Sequence, residues 1–332
     1  MSASVTSKKR IFKFSAPGLK PDVRIELFDT EEYHLHSVLL KLYSGFFRKF
    51  LDSPEKKVPA STSFAYEWVT QLDDDGGWHL VAAQSVQGKT GNLLNKDEQS
   101  LQLDAFQRLI HAIYNKPYTI YTHFLGPLVD LADYYCSLRI VSQTLHQLLM
   151  TERRRGFLCD FIEDPCEFLG LAITLRNEIL FKDCLCLALG PWSNPAFLKC
   201  KDKKLRDICD KARAKIYVEI GTFNERLLNE LNDPRKNNQE LRTEMLEHSQ
   251  AVSAISKDPV SGRIRLPLYY RKLSDFVSKA RKHPFRHLII KLLQNDLLLD
   301  DGFKAGEGMF EDYFLCNLTM DDQYPWDDTE DW

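Results

Sequence analysis

Asp22-Val23-Arg24-Ile25-Glu26-Leu27 leads through Asp29-Thr30-Glu31-Glu32 to Tyr33-His34-Leu35-His36, then to Ser37-Val38-Leu39-Leu40 and Tyr43-Ser44-Gly45-Phe46-Phe47. Val23, Ile25 and Leu27 recur at every second position, which places them on one face of a half-buried strand. Tyr33 and Leu35 resume the alternation, so the spacing predicts a hairpin that turns at Asp29–Glu32. From Ser37 the apolar spacing lengthens to three and four residues: Val38, Leu39, Leu42, then Phe46, Phe47, Phe50 and Leu51. That pattern predicts two short helices with Ser37 and Ser44 as N-caps. Ser53-Pro54 ends the second.

Further along the chain, strand signals return over 62–83. Phe64, Tyr66, Trp68 and Val69 precede Asp73-Asp74-Asp75-Gly76-Gly77, and Trp78 to Ala82 follow, the pattern of a second hairpin. Residues 84–99 are polar and predict a loop. Phe106, Leu109, Ile110, Ile113 and Tyr114 predict a helix over 104–114 that stops at Asn115-Lys116-Pro117. Leu128, Leu131, Ala132, Tyr135, Leu138, Leu145 and Leu148 predict another over 125–150. Beyond Arg155 the signals are helical, over 165–189, 203–231 and 266–299, with prolines between them. Residues 233–243 are polar enough for a flexible link, and no repeat of fixed period occurs.

The chain has 332 residues, enough for two ordinary domains. At 44% hydrophobic and 27% charged it is a folded chain rather than a disordered one. A net charge of -3 weighs against non-specific nucleic-acid binding. No apolar run reaches the roughly 18 residues of a membrane span, and the polar N-terminus does not read as a secretory signal. A cytoplasmic or nuclear protein is expected, with Lys8-Lys9-Arg10 at most a weak nuclear signal. The eight cysteines include no Cys-x-x-Cys, and the nine histidines supply no zinc-finger spacing. Reduced, mostly buried thiols are expected, with Cys184 and Cys186 in the core, and neither a metal nor a cofactor.

The order of these signals resembles the BTB/POZ domain. The opening stretch is similar to that family's D-V-x-h … h-x-x-H-x-x-h-L … S-x-x-F, where h is apolar. Phe106-x-x-Leu109-Ile110-x-x-Ile113-Tyr114 with Pro117-Tyr118 resembles its F-x-x-L-L-x-x-I-Y-T-G helix. Leu128-x-x-Leu131-Ala132-Asp133-Tyr134-Tyr135 resembles its L-L-x-x-A-D-x-Y helix. The likeness spans about 22–150, and the long 53–100 segment is similar to that of divergent, fungal-type members.

The resemblance implies an α+β fold: a polar tail over 1–20, then a BTB/POZ-like domain over 21–150, a small sheet flanked by helices. An all-α region follows over 151–300, and 301–332 is an acidic, aromatic C-terminal tail. It also implies a non-enzymatic protein–protein interaction module that forms a homodimer or binds a cullin. The candidate interface is Val23, Ile25 and Leu27 on the strand with Val38, Leu39 and Leu42 on the helix. A charge at Leu39 breaks a dimer if that face is an interface, and unfolds the domain if it is core. His36 takes the family's structural histidine position. Ser37 stands where many members carry lysine, so the charged pocket of some members does not carry over. Between 84 and 103 no apolar residue is followed two positions later by Glu, the marker common in cullin-binding members.

A substrate adaptor for a cullin-type ubiquitin ligase, its helical half holding the client, is the most concrete function. A transcription-associated or structural scaffold is the alternative. An alternative of another class is a nucleotide-binding protein using Ala83–Thr90, which fits a relaxed phosphate-loop spelling but needs a strand before it and a helix after it. No Gly-x-Gly-x-x-Gly and no Gly-x-Ser-x-Gly occurs, and no catalytic residue is assigned. His34 with His36 as metal ligands, and Asp22 with Asp133 as a carboxylate pair, lack supporting neighbours. The tail sets Tyr324, Trp326 and Trp332 among acids, and exposed rings are costly unless they pack. Three readings stay open: docking on its own helical region over Arg263, Arg265, Arg271 or Arg281, binding a partner's basic surface, or a disordered end.

Overall fold

The computed structural model describes residues 9–53, 63–73, 77–85, 94–151, 160–233, 239–279, 286–316 and 324–327. The chain divides into two compact units, with the boundary between Leu145 and His146. The fold is α+β, a mixed sheet in the first unit followed by helices.

In the first unit β2 (Val23–Leu27) and β3 (Glu31–Leu35) form the expected antiparallel hairpin, with Ile25 opposite Tyr33. Its turn is tighter than Asp29–Glu32. Phe28 and Asp29 take φ of 48° and 57°, reversing the chain early enough for Glu31 to pair with Leu27. Positive φ at both central residues matches the twist of a tight hairpin. β1 (Arg10–Lys13) adds to β3 in parallel, so part of the stretch expected to be a polar tail belongs to the sheet. β4 (Tyr66–Leu72) pairs in parallel with β2 and antiparallel with β5 (Trp78–Ala82), which completes the second hairpin. The order β1-β3-β2-β4-β5 puts β2 in the middle.

Alternation along these strands separates two faces. Val23, Ile25, Leu27, Tyr33 and Leu35 are buried completely. On the other face Arg24 pairs with Glu67 at 3.0 Å, and Lys9 with Glu26 at 2.5 Å. Five helices complete the described unit: α1 (Ser37–Tyr43), α2 (Gly45–Phe50), α3 (Lys96–Ile113), α4 (Thr122–Tyr134) and α5 (Leu138–Thr151), whose last turn lies beyond the boundary. Aromatic rings tie them to the sheet. Tyr33 meets Phe106 edge-on at 5.4 Å, Phe47 stacks on Tyr135 at 5.5 Å, and Trp68 stands 6.4 Å from Phe47. Burial of each such side chain contributes roughly 1.5–3 kcal/mol.

Two stretches of the first unit differ from the helices expected of them. α3 begins eight residues before Asp104, because Asn95 and Glu98 form a capping box that starts it. The helix expected over 125–150 is two helices, broken where Cys136 takes φ of 48°.

The second unit contains α6 (Pro165–Thr174), α7 (Glu178–Ala188), α8 (Lys203–Leu231), α9 (Gln239–Ile255), α10 (Leu266–Lys279) and α11 (Arg286–Leu292). Asp164 caps α6 ahead of Pro165 in its first turn. Arg176, at φ of 47°, breaks the chain before Asn177 caps α7. α9 begins inside the stretch read as a link. Phe310, Tyr313, Phe314, Leu315 and Cys316 are buried, so 310–316, within the stretch expected to be a tail, packs into the core. Cys166 and Cys200 form a disulfide, which overturns the expectation of reduced thiols for that pair. Cys184, Cys186, Cys209 and Cys316 are free and buried, while Cys159 lies outside the described residues. Among the described residues no helix is long and apolar enough to cross a membrane.

Candidate protein interface

Helix α1 is short, and isolated helices of this length do not persist in water. Neighbouring side chains hold both its ends. At the start, the Asp22 carboxylate accepts from the Ser37 backbone N–H at 2.7 Å and from the Ser37 hydroxyl at 2.6 Å. Asp22 therefore supplies the acceptor that Ser37 was expected to provide as N-cap. His36 takes the cap position without a side-chain cap bond. Instead its backbone N–H donates to the Tyr114 hydroxyl at 2.7 Å, and its Nδ1 meets the same oxygen at 2.8 Å. At the end, Arg48 donates from Nε to the Lys41 carbonyl at 3.0 Å and from Nη2 to the Leu42 carbonyl at 3.2 Å. These are carbonyls that a helix end leaves open. Ser44 caps α2 as expected, accepting from the Phe47 N–H at 3.2 Å, and its hydroxyl donates to the Tyr135 carbonyl at 2.6 Å.

With α1 held this way, Leu40 is wholly buried while Val38 and Leu42 stay 59% and 58% exposed. They are four residues apart and so lie side by side on one helix face. Leu39 is half-buried, and Tyr43 is exposed beside them. Arg48 and Lys49 are exposed nearby in sequence, and Lys41 pairs with Asp52 at 2.8 Å. The result is an apolar ridge with cationic neighbours.

The six candidate interface residues thus separate into two groups. Val38, Leu39 and Leu42 form the ridge. Val23, Ile25 and Leu27 offer no surface, because β2 has a strand on each side and its apolar face is fully covered. Period-2 alternation marks a covered face without saying what covers it, so the strand half of the expected interface is corrected to core.

No protein-family model matches this chain, and no curated protein matches it.

His34 pairs with Glu32 at 2.6 Å while His36 faces Tyr114, so the two histidines serve different neighbours. Among the described residues no cluster of three His, Cys, Asp or Glu side chains is placed to hold a metal. Ala83–Ser85 form a single turn after β5, and Val86–Thr90, including Lys89, lie outside the described residues. At the next described helix, α3, Asn95 accepts from the Glu98 N–H at 2.8 Å, so that first-turn donor is engaged. Arg263 donates to the Ser193 carbonyl at 3.3 Å, Arg265 pairs with Glu311, and Arg271 donates to the Ala305 carbonyl at 2.8 Å. These arginines have partners within the second unit, Arg281 lies outside the described residues, and the described part of the tail sits elsewhere, on α7.

Proposed function

We propose that this chain is a non-enzymatic protein–protein interaction module with a BTB/POZ-like N-terminal unit, acting as a substrate adaptor for a cullin-type ubiquitin ligase. The observation that carries the reading is the α1 ridge, where two large aliphatic side chains stay open to solvent on a helix whose ends are fastened. A fixed apolar face with a polar surround suits docking rather than chemistry. The order of hairpin, short helices, second hairpin and helix pair supports the BTB/POZ-like assignment.

Purification of the tagged protein from its native cells after gentle crosslinking tests the adaptor role. A cullin is expected at near-stoichiometric level, and Val38→Glu with Leu42→Glu is expected to remove it. Self-association or a chromatin partner without any cullin sinks the ligase role. Nucleotides are expected to leave the melting temperature unchanged; a shift abolished by Lys89→Ala overturns the docking reading.

A further inference from the structure

Residues Tyr324–Asp327 lie against the start of α7. The Tyr324 and Trp326 rings stack on each other, with centroids 4.6 Å apart and planes 10° from parallel. Both set against the buried Phe181 ring, Trp326 at 5.3 Å and 84° and Tyr324 at 6.0 Å and 75°. These are the edge-to-face geometries that aromatic rings favour. Around them stands a polar frame. Glu178 and Lys182 pair one turn apart, near enough to the Tyr324 hydroxyl to act on it electrostatically. Lys182 Nζ also lies 5.8 Å from the centre of the Tyr324 ring. Arg176, at the bend before α7, donates to the Asp327 carbonyl at 2.6 Å.

The segment is held by two rings and one backbone carbonyl, the means by which a domain reads a short linear peptide. Its hold is partial. Tyr324 and Trp326 are only half-buried, and Pro325 and Asp327 are exposed. Such a contact within one chain owes much to tethering, which supplies an effective concentration on the order of millimolar. The segment is also acidic in sequence, with Asp321, Asp322, Asp327, Asp328, Glu330 and Asp331, and the site meets it with Arg176 and Lys182.

We propose that Arg176, Glu178, Phe181 and Lys182 form a peptide-binding site for a partner protein carrying an acidic aromatic-Pro-aromatic-Asp segment, and that Tyr324–Asp327 occupies the site until that partner displaces it. The claim is independent of the α1 ridge and of any BTB/POZ-like role.

The test is a titration of full-length wild type and a full-length Tyr324→Ala, Trp326→Ala variant with a fluorescein-labelled peptide of residues 321–332. Fluorescence anisotropy is expected to give a Kd for the variant at least tenfold lower than for wild type. Adding Arg176→Glu and Lys182→Glu is expected to weaken the variant's binding at least tenfold, and a peptide with both aromatics replaced by alanine is expected not to bind. Equal affinity for wild type and variant overturns the proposal, as does no saturable binding to a variant whose circular dichroism and melting match wild type. If the variant melts early, wild type labelled with 5-fluorotryptophan decides. Excess unlabelled peptide must then shift the Trp326 resonance to that of an undocked tail, and an unmoved resonance overturns the site. Concentration-dependent dimers that vanish in the tail variant assign the site to a second copy and overturn the partner reading.

Discussion

The Tyr114 hydroxyl grips His36 at two points, taking its backbone N–H at 2.7 Å and meeting Nδ1 at 2.8 Å. Through this one oxygen Tyr114 holds both the backbone and the ring of His36. This junction sets where β3 ends and α1 begins.

Tyr114→Phe removes only that oxygen and leaves two buried groups without their partner. Each such loss costs about 1–3 kcal/mol. Urea unfolding is expected to show the midpoint falling accordingly with the slope unchanged, and an unmoved midpoint contradicts the structural role of the junction.

Charge placed on the two halves of the sequence-derived interface is expected to have opposite consequences. Val38→Glu and Leu42→Glu lie on exposed positions and are expected to change stability by no more than about 0.5 kcal/mol. Ile25→Glu puts a carboxylate into a site with no exposure, where an unpaired charge is costly enough to unfold the unit. Far-UV circular dichroism separates the two results, and a folded Ile25→Glu protein contradicts the placement of β2.

Asp183 links α7 to the stretch after α11, its two oxygens accepting the Leu298 N–H at 2.8 Å and the Leu299 N–H at 2.9 Å. Burial raises its carboxyl from 3.8 to about 6, even though these two N–H groups act in the opposite direction. The folded chain therefore holds this proton more tightly than the unfolded chain. The contribution of Asp183 to stability rises as pH falls through 6 and levels off below 3.8. The span corresponds to about 3 kcal/mol at ~1.4 kcal/mol per unit. Measured at pH 7, 5 and 4, the stability difference between wild type and Asp183→Asn is expected to move in favour of wild type by that order. A constant difference contradicts the burial of the charge.

Gly190 sits against an aromatic ring. A Cβ there would lie 2.0 Å from Cδ1 of Tyr313, well inside van der Waals contact. Gly190→Ala must displace a ring in the core and is expected to cost about 1–3 kcal/mol or more, as overpacking does. Tyr313→Ala in the same chain should relieve part of that cost, and additive losses in thermal melts contradict the contact.

What was legible depended on whether the decisive residue type differed from its neighbours. The β2–β3 hairpin and α8 were legible because alternation and helical spacing state themselves over several residues. The breaks at Cys136 and Arg176 were not, because a left-handed residue is usually announced by glycine, and neither position carries one. Asn95 and Glu98 did announce α3, but lay in a stretch whose polar composition suggested a loop. At the candidate interface, Val23 and Val38 are the same residue type, and only the packing of α1 distinguishes the buried one from the open one. For the tail, charge pointed to arginines, whereas Phe181, the last of the apolar triplet Ile179–Phe181, gave no sign that it would meet two further rings.

The position of β2 between β3 and β4 also bears on how the chain reaches this state. Each hairpin closes over a few residues, but the parallel pairing between them joins Arg24 to a partner 43 positions away. Loop closure of that length loses chain entropy before any contact repays it, and non-local pairings of this sort slow folding. The two hairpins are thus expected to form early, and the docking of β4 on β2 to set the pace, so that stopped-flow refolding slows most when the β2–β4 seam is weakened. Glu67→Ala, which removes the partner of Arg24 across that seam, is the change that would report it.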